Sequence, residues 1–167
     1  MKPVTLAVAV ALLGISVDAN AGLLARNVGG VPSTTDAYYD SVLNITWLRD
    51  ANFAMTSGFA SGGLMTFTDA QSWASGLKIN GFNGWRLANV AQPDPSCESQ
   101  NPTYGSTGSN CTGGELGYMY YTNLGGSVGT NLSTSHNANY DLFSNIGEDA
   151  YWSATARTPD GAEPHEL

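Results

Sequence analysis

The chain has 167 residues, room for one domain with a core of its own and little more. It is acidic, with six Lys and Arg against fourteen Asp and Glu and a net charge of −8. With no cluster of basic residues to offset that charge, the surface repels phosphate and sulfate, which excludes a nucleic-acid partner.

The N-terminus reads as an export signal. Lys2 supplies the positive start and an apolar run over residues 4–17 follows. Ala19-Asn20-Ala21 then offers the small-x-small pattern that signal peptidase admits. Cleavage is expected between Ala21 and Gly22, which removes residues 1–21 and makes the protein secreted or displayed on the surface of a bacterium. The run is shorter than the roughly 20 apolar residues of a membrane span, so no transmembrane segment is expected after cleavage. Residues 22–156 are expected to form the domain, and 157–167 an irregular tail.

Tyr38-Tyr39-Asp40, a turn at Ser41 and the β-branched and aromatic stretch 42–48 predict a hairpin, with Ile45 and Trp47 on one face and Leu43 on the other. Residues 56–63 read as a Gly/Ser loop. Thr66-Phe67-Thr68-Asp69 opens a helix as a capping box, followed by Phe67, Ala70, Trp73, Ala74 and Leu77 at helical spacing. Gly84-Trp85-Arg86-Leu87 predicts a short strand. Residues 91–114, rich in Pro, Ser, Asn and Gly, predict a long loop. Glu115 opens a second helix with Leu116, Met119, Tyr120 and Leu124 on one face, ended by the glycines at 125–129. Residues 127–139 are a further polar loop, and Tyr151-Trp152-Ser153 starts a strand.

Cys97 and Cys111 both lie in the 91–114 segment. In an oxidising compartment such a pair is expected to be bridged, and closing a loop of about 15 residues stabilises by roughly 3 kcal/mol in the chain-entropy model. The alternative is a metal site, but only His136 and His165 could complete four zinc ligands.

Several landmarks fall in a specific order: Tyr38-x-Asp40, Leu43-x-x-Thr46-Trp47-Leu48-x-Asp50-Ala51-Asn52, Thr68-x-Ala70, Gly84-Trp85-Arg86-Leu87, Glu115-Leu116 and Tyr151-Trp152-Ser153-Ala154-Thr155. Over about residues 34–156 the chain resembles the family named for the C-terminal domain of the Legionella collagen-like adhesin. It is most similar to the branch in exported bacterial proteins that end in a Pro-Glu-Pro (PEP-CTERM) sorting tail. The resemblance implies an α+β fold like that of C-type lectins, with two main helices and a short antiparallel sheet. It implies an extracellular polysaccharide as partner and brings no catalytic residues. Ala88-Asn89 stand where the family has Pro-Thr. The strands that follow Tyr-Trp-Ser in the family, and the sorting tail, have no counterpart in residues 157–167. The sheet is therefore expected to be incomplete, and the strand near Tyr151 to present an open edge prone to self-association.

The expected function is an exported, non-catalytic surface or extracellular-matrix module that binds carbohydrate. The alternative is a secreted serine hydrolase using Ser127, because Gly125-Gly126-Ser127-Val128-Gly129 matches G-x-S-x-G and Asp141 and His165 follow in hydrolase order. That motif needs a strand before it and a helix after it, and here it follows a helix. Glu148-Asp149 and Asp36/Asp40 read as solvated acids rather than a glycosidase pair. Asp40, Asp50 and Asn52 offer oxygen ligands for calcium but lack the alternating acidic loop of a strong site. The four tryptophans read mainly as core, Arg86 as a structural ion-pair or backbone clamp, and the outward face of Tyr118, Tyr120 and Tyr121 as the first place to look for a ligand.

Overall fold

The computed structural model describes residues 22–29, 34–103, 105–148, 150–156 and 164–166. The expected signal segment, with Ala21, lies outside them. The fold is mixed α+β, with helices and small antiparallel sheets.

The largest sheet has three strands in the order β1 (Leu23–Arg26), β2 (Ala37–Asp40) and β3 (Ile45–Leu48). Strands β2 and β3 form the expected hairpin, with Tyr38 opposite Trp47 and Asp40 opposite Ile45. Its second strand is shorter than expected. Residues 41–44 form the turn, so Leu43 lies outside the strand, and Asn44 sits at φ 55°, in the left-handed region that asparagine tolerates. Asp40 fixes this turn by accepting the amides of Val42 and Leu43 at 3.0 Å each. Alternation places Tyr38, Asp40, Ile45 and Trp47 on one face. Behind that face Tyr38 meets Phe143 at 5.3 Å, and Asp40 receives Asn123 Nδ2 at 2.7 Å. Strand β1 had no signal in the sequence, because its side chains are mostly exposed and its place comes from backbone pairing with β2.

Two helices follow, α1 (Phe53–Thr56) and α2 (Phe67–Gly76). Thr66 caps α2 as expected, accepting the Asp69 amide at 3.2 Å. The return bond is different from a capping box: the Thr66 hydroxyl donates to the Asp69 carboxylate at 2.7 Å, because aspartate is one methylene too short to reach back to the Thr66 amide. The predicted stripe holds, with Ala70 and Ala74 buried, Phe67 against Trp152 and Trp73 against Phe59.

The 91–114 segment is more ordered than a loop. Strands β4 (Ser99–Asn101) and β5 (Gly105–Thr107) pair within it, and the Cys97–Cys111 disulfide closes it with its Cα atoms 4.2 Å apart. Gln92 brackets Ser106 with both ends of its amide, at 2.7 and 2.8 Å, and Asp94 at the base receives Ser96 and Gly113. These side chain-to-backbone bonds supply the order that hydrophobic periodicity did not signal.

The second helix starts at Glu115 as expected but is α-helical only over α3 (Glu115–Gly117). It continues as a π-helical stretch over Tyr118–Asn123, with Leu124 N donating to Met119 O. Strand β6 (Trp152–Ala156) follows the expected Tyr-Trp-Ser start. It pairs with β7 (Pro164–Glu166) along one edge only, in a sheet of two strands. Backbone pairing needs no hydrophobic alternation, and Pro164 is tolerated as the first residue of an edge strand. Among the described residues no helix is long and apolar enough to cross a membrane.

Candidate functional site

A groove of about 550 Å³ opens between β3 and residues 82–86. Its lining includes Ile45, Thr46 and Trp47 from β3, Phe82 and Trp85 from the 82–86 segment, and the Arg86–Glu115 pair, taken as its base. Arg26 and Asn27 rim it from the end of β1. Residues 83–91 run without turn or bend but pair with no strand, which corrects the strand expected at Gly84-Trp85-Arg86-Leu87. Gly84, at φ 83°, lets the chain leave the Ile79–Phe82 bridge in a direction an L-residue resists.

The base is a locked ion pair. Arg86 meets Glu115 through two parallel bonds of 2.5 and 2.7 Å, and its guanidinium also donates to Leu87 O at 3.0 Å. The Glu115 carboxylate accepts the Asn89 amide at 2.9 Å, while Asn89 Oδ1 accepts the Glu115 amide at 3.2 Å. Asn89 thereby satisfies the first amide of α3, next to the clamp that Arg86 makes on the Glu115 carboxylate. The Glu115 bond raises the Arg86 pKa, outweighing burial, which lowers it. Burial pushes the Glu115 carboxyl up, but the Arg86 bond, the Asn89 amide and the Arg86 charge together hold it below the ordinary glutamate value. Asp94 behaves alike: burial raises it, and bonds from Ser96 and Gly113 bring it below the ordinary aspartate value.

Both carboxyls therefore contribute stability that is complete above the unfolded carboxylate pKa of about 4 and is lost as pH falls through their lower folded values. Thermal unfolding followed from pH 7 to pH 2 should show the loss beginning near pH 4. Glu115→Gln should be less stable than the parent at pH 7 and converge on it near pH 2. Parallel curves would rule out Glu115 as a source of the acid sensitivity.

Trp47 and Trp85 are half-buried, and both indole Nε1 atoms are buried without a hydrogen-bond partner. A buried donor left without an acceptor costs about 1–3 kcal/mol. Trp152, by contrast, donates to Met65 O at 2.9 Å. Two of the four tryptophans are among the residues that line the groove. The sequence signal was the adjacency of Trp85 and Arg86, which hydrophobic pattern alone assigns to packing.

Of the three tyrosines, one of which was expected to point outwards and mark a ligand face, two are engaged within the chain. Tyr118, Tyr120 and Tyr121 are all half-buried. Tyr120 and Tyr121 pack edge to face, Tyr120 donates to Ser127 O and Thr130 O, and Tyr121 accepts the Asn110 amide. The i to i+5 winding changes which positions point outward, so a period of 3.6 misplaces them.

The calcium candidates are engaged in separate turns. Asp40 is 1% exposed and binds Val42, Leu43 and Asn123. Asp50 accepts the Asn52 amide, Asn145 Nδ2 and the Thr56 hydroxyl. Among the described residues the cluster with metal-ligand spacing is Asp94 with Cys97 and Cys111, and there the two sulfurs are bonded to each other. Ser127 lies exposed after the π-helical stretch, with its Oγ 2.8 Å from Thr130 Oγ1; Asp141 is exposed, and the His165 side chain lies outside the described residues. No strand leads into this segment, so the strained elbow that activates a serine is not formed there.

No family model, curated protein or solved structure matches the chain.

Proposed function

We propose that this chain is an exported, non-catalytic surface or extracellular-matrix module that works by holding a ligand in the groove between β3 and residues 82–86. The observation that carries this reading is the pair Trp47 and Trp85, two half-buried indoles that line one groove together with Arg26 and the Arg86–Glu115 pair. Clefts that bind ligands combine an aromatic lining with a few convergent polar groups. The resemblance to adhesin C-terminal domains with a C-type-lectin-like fold supports the same reading and implies polysaccharide as one ligand class to test. The export signal and the bridged cysteines agree with an oxidising, extracytoplasmic setting.

The test is a mixed panel of neutral and acidic oligosaccharides and short extended peptides, followed by amide and indole NMR signals. The indoles of Trp47 and Trp85 should shift together on binding, while those of Trp73 and Trp152 stay in place. Shifts centred elsewhere, or covalent labelling of Ser127 by a serine-reactive phosphonate, would overturn the reading.

A further inference from the structure

The backbone around this groove has hydrogen-bonding groups left over in both lining segments. Arg49 N donates to Asp36 O at 2.9 Å, which fixes the parity of the β2–β3 ladder: Ile45 and Trp47 exchange bonds with Tyr38 and Asp40 of β2. The N–H and C=O groups of Thr46 and Leu48 therefore point away from β2, along the outer edge of β3. That edge has no neighbouring strand, since the sheet order ends at β3. Past the end of β3, Ser144 bonds Arg49 O and Ala51 N, groups of the opposite parity from those of Thr46 and Leu48. In the other segment the amides of Asn83, Gly84, Trp85, Arg86 and Leu87 donate to nothing among the described residues. The edge of β3 and residues 83–87 thus both leave backbone donors unbonded beside one groove, and only beyond them does Ala88 O accept Ala154 N of β6.

The volume suits one strand. An extended residue in a sheet occupies about 160 Å³, from a rise of about 3.3 Å, a spacing of about 4.8 Å and a layer depth of about 10 Å. A groove of about 550 Å³ then holds three to four residues, the length of the strands already in this sheet. Arg26 at the rim is stacked on Tyr39 and bonded to Thr46 Oγ1 and has no carboxylate partner among the described residues, whereas Arg86 is neutralised by Glu115. The groove therefore carries one uncompensated positive charge in a chain of net charge −8.

We propose that the outer edge of β3 accepts an extended peptide strand from a different partner chain, three or four residues long, with apolar residues towards Trp47 and Trp85 and an acidic residue at the Arg26 end. This is β-augmentation, in which main-chain bonds give affinity and alternate side chains give specificity. A second copy of this chain is the weaker occupant, because both copies carry the same large negative charge. The inference rests on the reading of the groove as the binding site and names its occupant.

The test uses synthetic hexapeptides of alternating valine and threonine with one terminal aspartate, and the same peptides N-methylated at alternate amides so that side chains stay and backbone bonds go. The parent peptide should protect the Thr46 and Leu48 amides from hydrogen exchange and shift both groove indoles, and the N-methylated peptide should do neither. Thr46→Val removes the hydroxyl that Arg26 binds and serves as the reference; Thr46→Pro removes in addition an outward N–H without touching the bonds to β2, a place where an edge strand tolerates proline. Against that reference, Thr46→Pro should weaken peptide binding at least about tenfold, the value of one lost hydrogen bond of roughly 1.4 kcal/mol. If that variant does not fold, the N-methylated peptide decides alone. Oligosaccharide binding with the peptides silent would overturn the strand and leave the binding module standing. Silence from every ligand would overturn both. A dimer with Thr46 protected in the absence of peptide would replace the partner chain by a second copy.

Discussion

Replacing Asp40 with alanine is expected to remove about 3 kcal/mol of stability, of the order of one third of what a domain this size possesses. Asp40 is 1% exposed, and its carboxylate serves two places at once. One oxygen holds the Val42 and Leu43 amides, which shapes the β2–β3 turn. The other accepts Asn123 Nδ2, which ties the sheet to the π-helical stretch. Asn123 is wholly buried, and its carbonyl accepts Asn139 Nδ2 at 2.9 Å, so the chain of bonds runs on into the 137–142 region. The alanine leaves a buried amide donor with nothing to receive it and frees two turn amides together. The turn amides can be hydrated and the buried one cannot, so most of the cost falls on Asn123. Thermal unfolding should show a fall of about 10 °C. Asp40→Asn keeps the shape but turns a charged acceptor into a half-donor, and it should lose less. Equal stability of parent and Asp40→Ala would mean that the turn and the Asn123 contact form without the carboxylate.

The second large effect is expected from Gly117→Ala. Gly117 is buried in α3, and a Cβ there would fall on the carbonyl oxygen of Cys111. In an open helix the same change would stabilise by up to about 1 kcal/mol, because alanine has the better helix propensity. Here the obstacle is backbone on both sides, and the Cys111 carbonyl is held by its neighbouring disulfide, so no side-chain rotation relieves it. Overpacking against groups that cannot yield costs about 3 kcal/mol or more, which reverses the sign of the substitution. Denaturant unfolding of the pair decides between the two. A Gly117→Ala protein as stable as the parent would show that the helix can retreat from the disulfide-closed segment. If the segment is what resists, reducing the disulfide should narrow the gap between the two proteins.

Much of the local structure was legible from neighbouring residues. Thr66 three residues before Asp69 announced a helix start, and the stripe from Phe67 to Leu77 announced its buried side, because both depend on contacts within two turns. Tyr38-Tyr39-Asp40 and the β-branched stretch after it announced the hairpin, and Ile45 and Trp47 fell on one face as a period of two requires. The two cysteines announced their bridge through the absence of other partners. An Arg86 structural pair was legible as a type of contact, but its partner was not, since Glu115 is 29 positions away.

The tertiary structure alone decided the rest. Strand β1 exists because β2 offers it an edge, and nothing in Leu23-Leu24-Ala25-Arg26 demands that choice. Gly84-Trp85-Arg86-Leu87 has the composition of a strand, yet a strand is defined by its neighbour, and none pairs with it. The inward turn of Asn123, which the stripe of Leu116, Met119, Tyr120 and Leu124 did not foresee, follows from one widened helical turn that no pattern of period 3.6 can announce. The groove itself is made by two segments almost 40 positions apart, and its character comes from donors that each segment leaves unused. Composition and spacing report what each residue is able to bond, and only the assembled chain decides which of those bonds are left unmade.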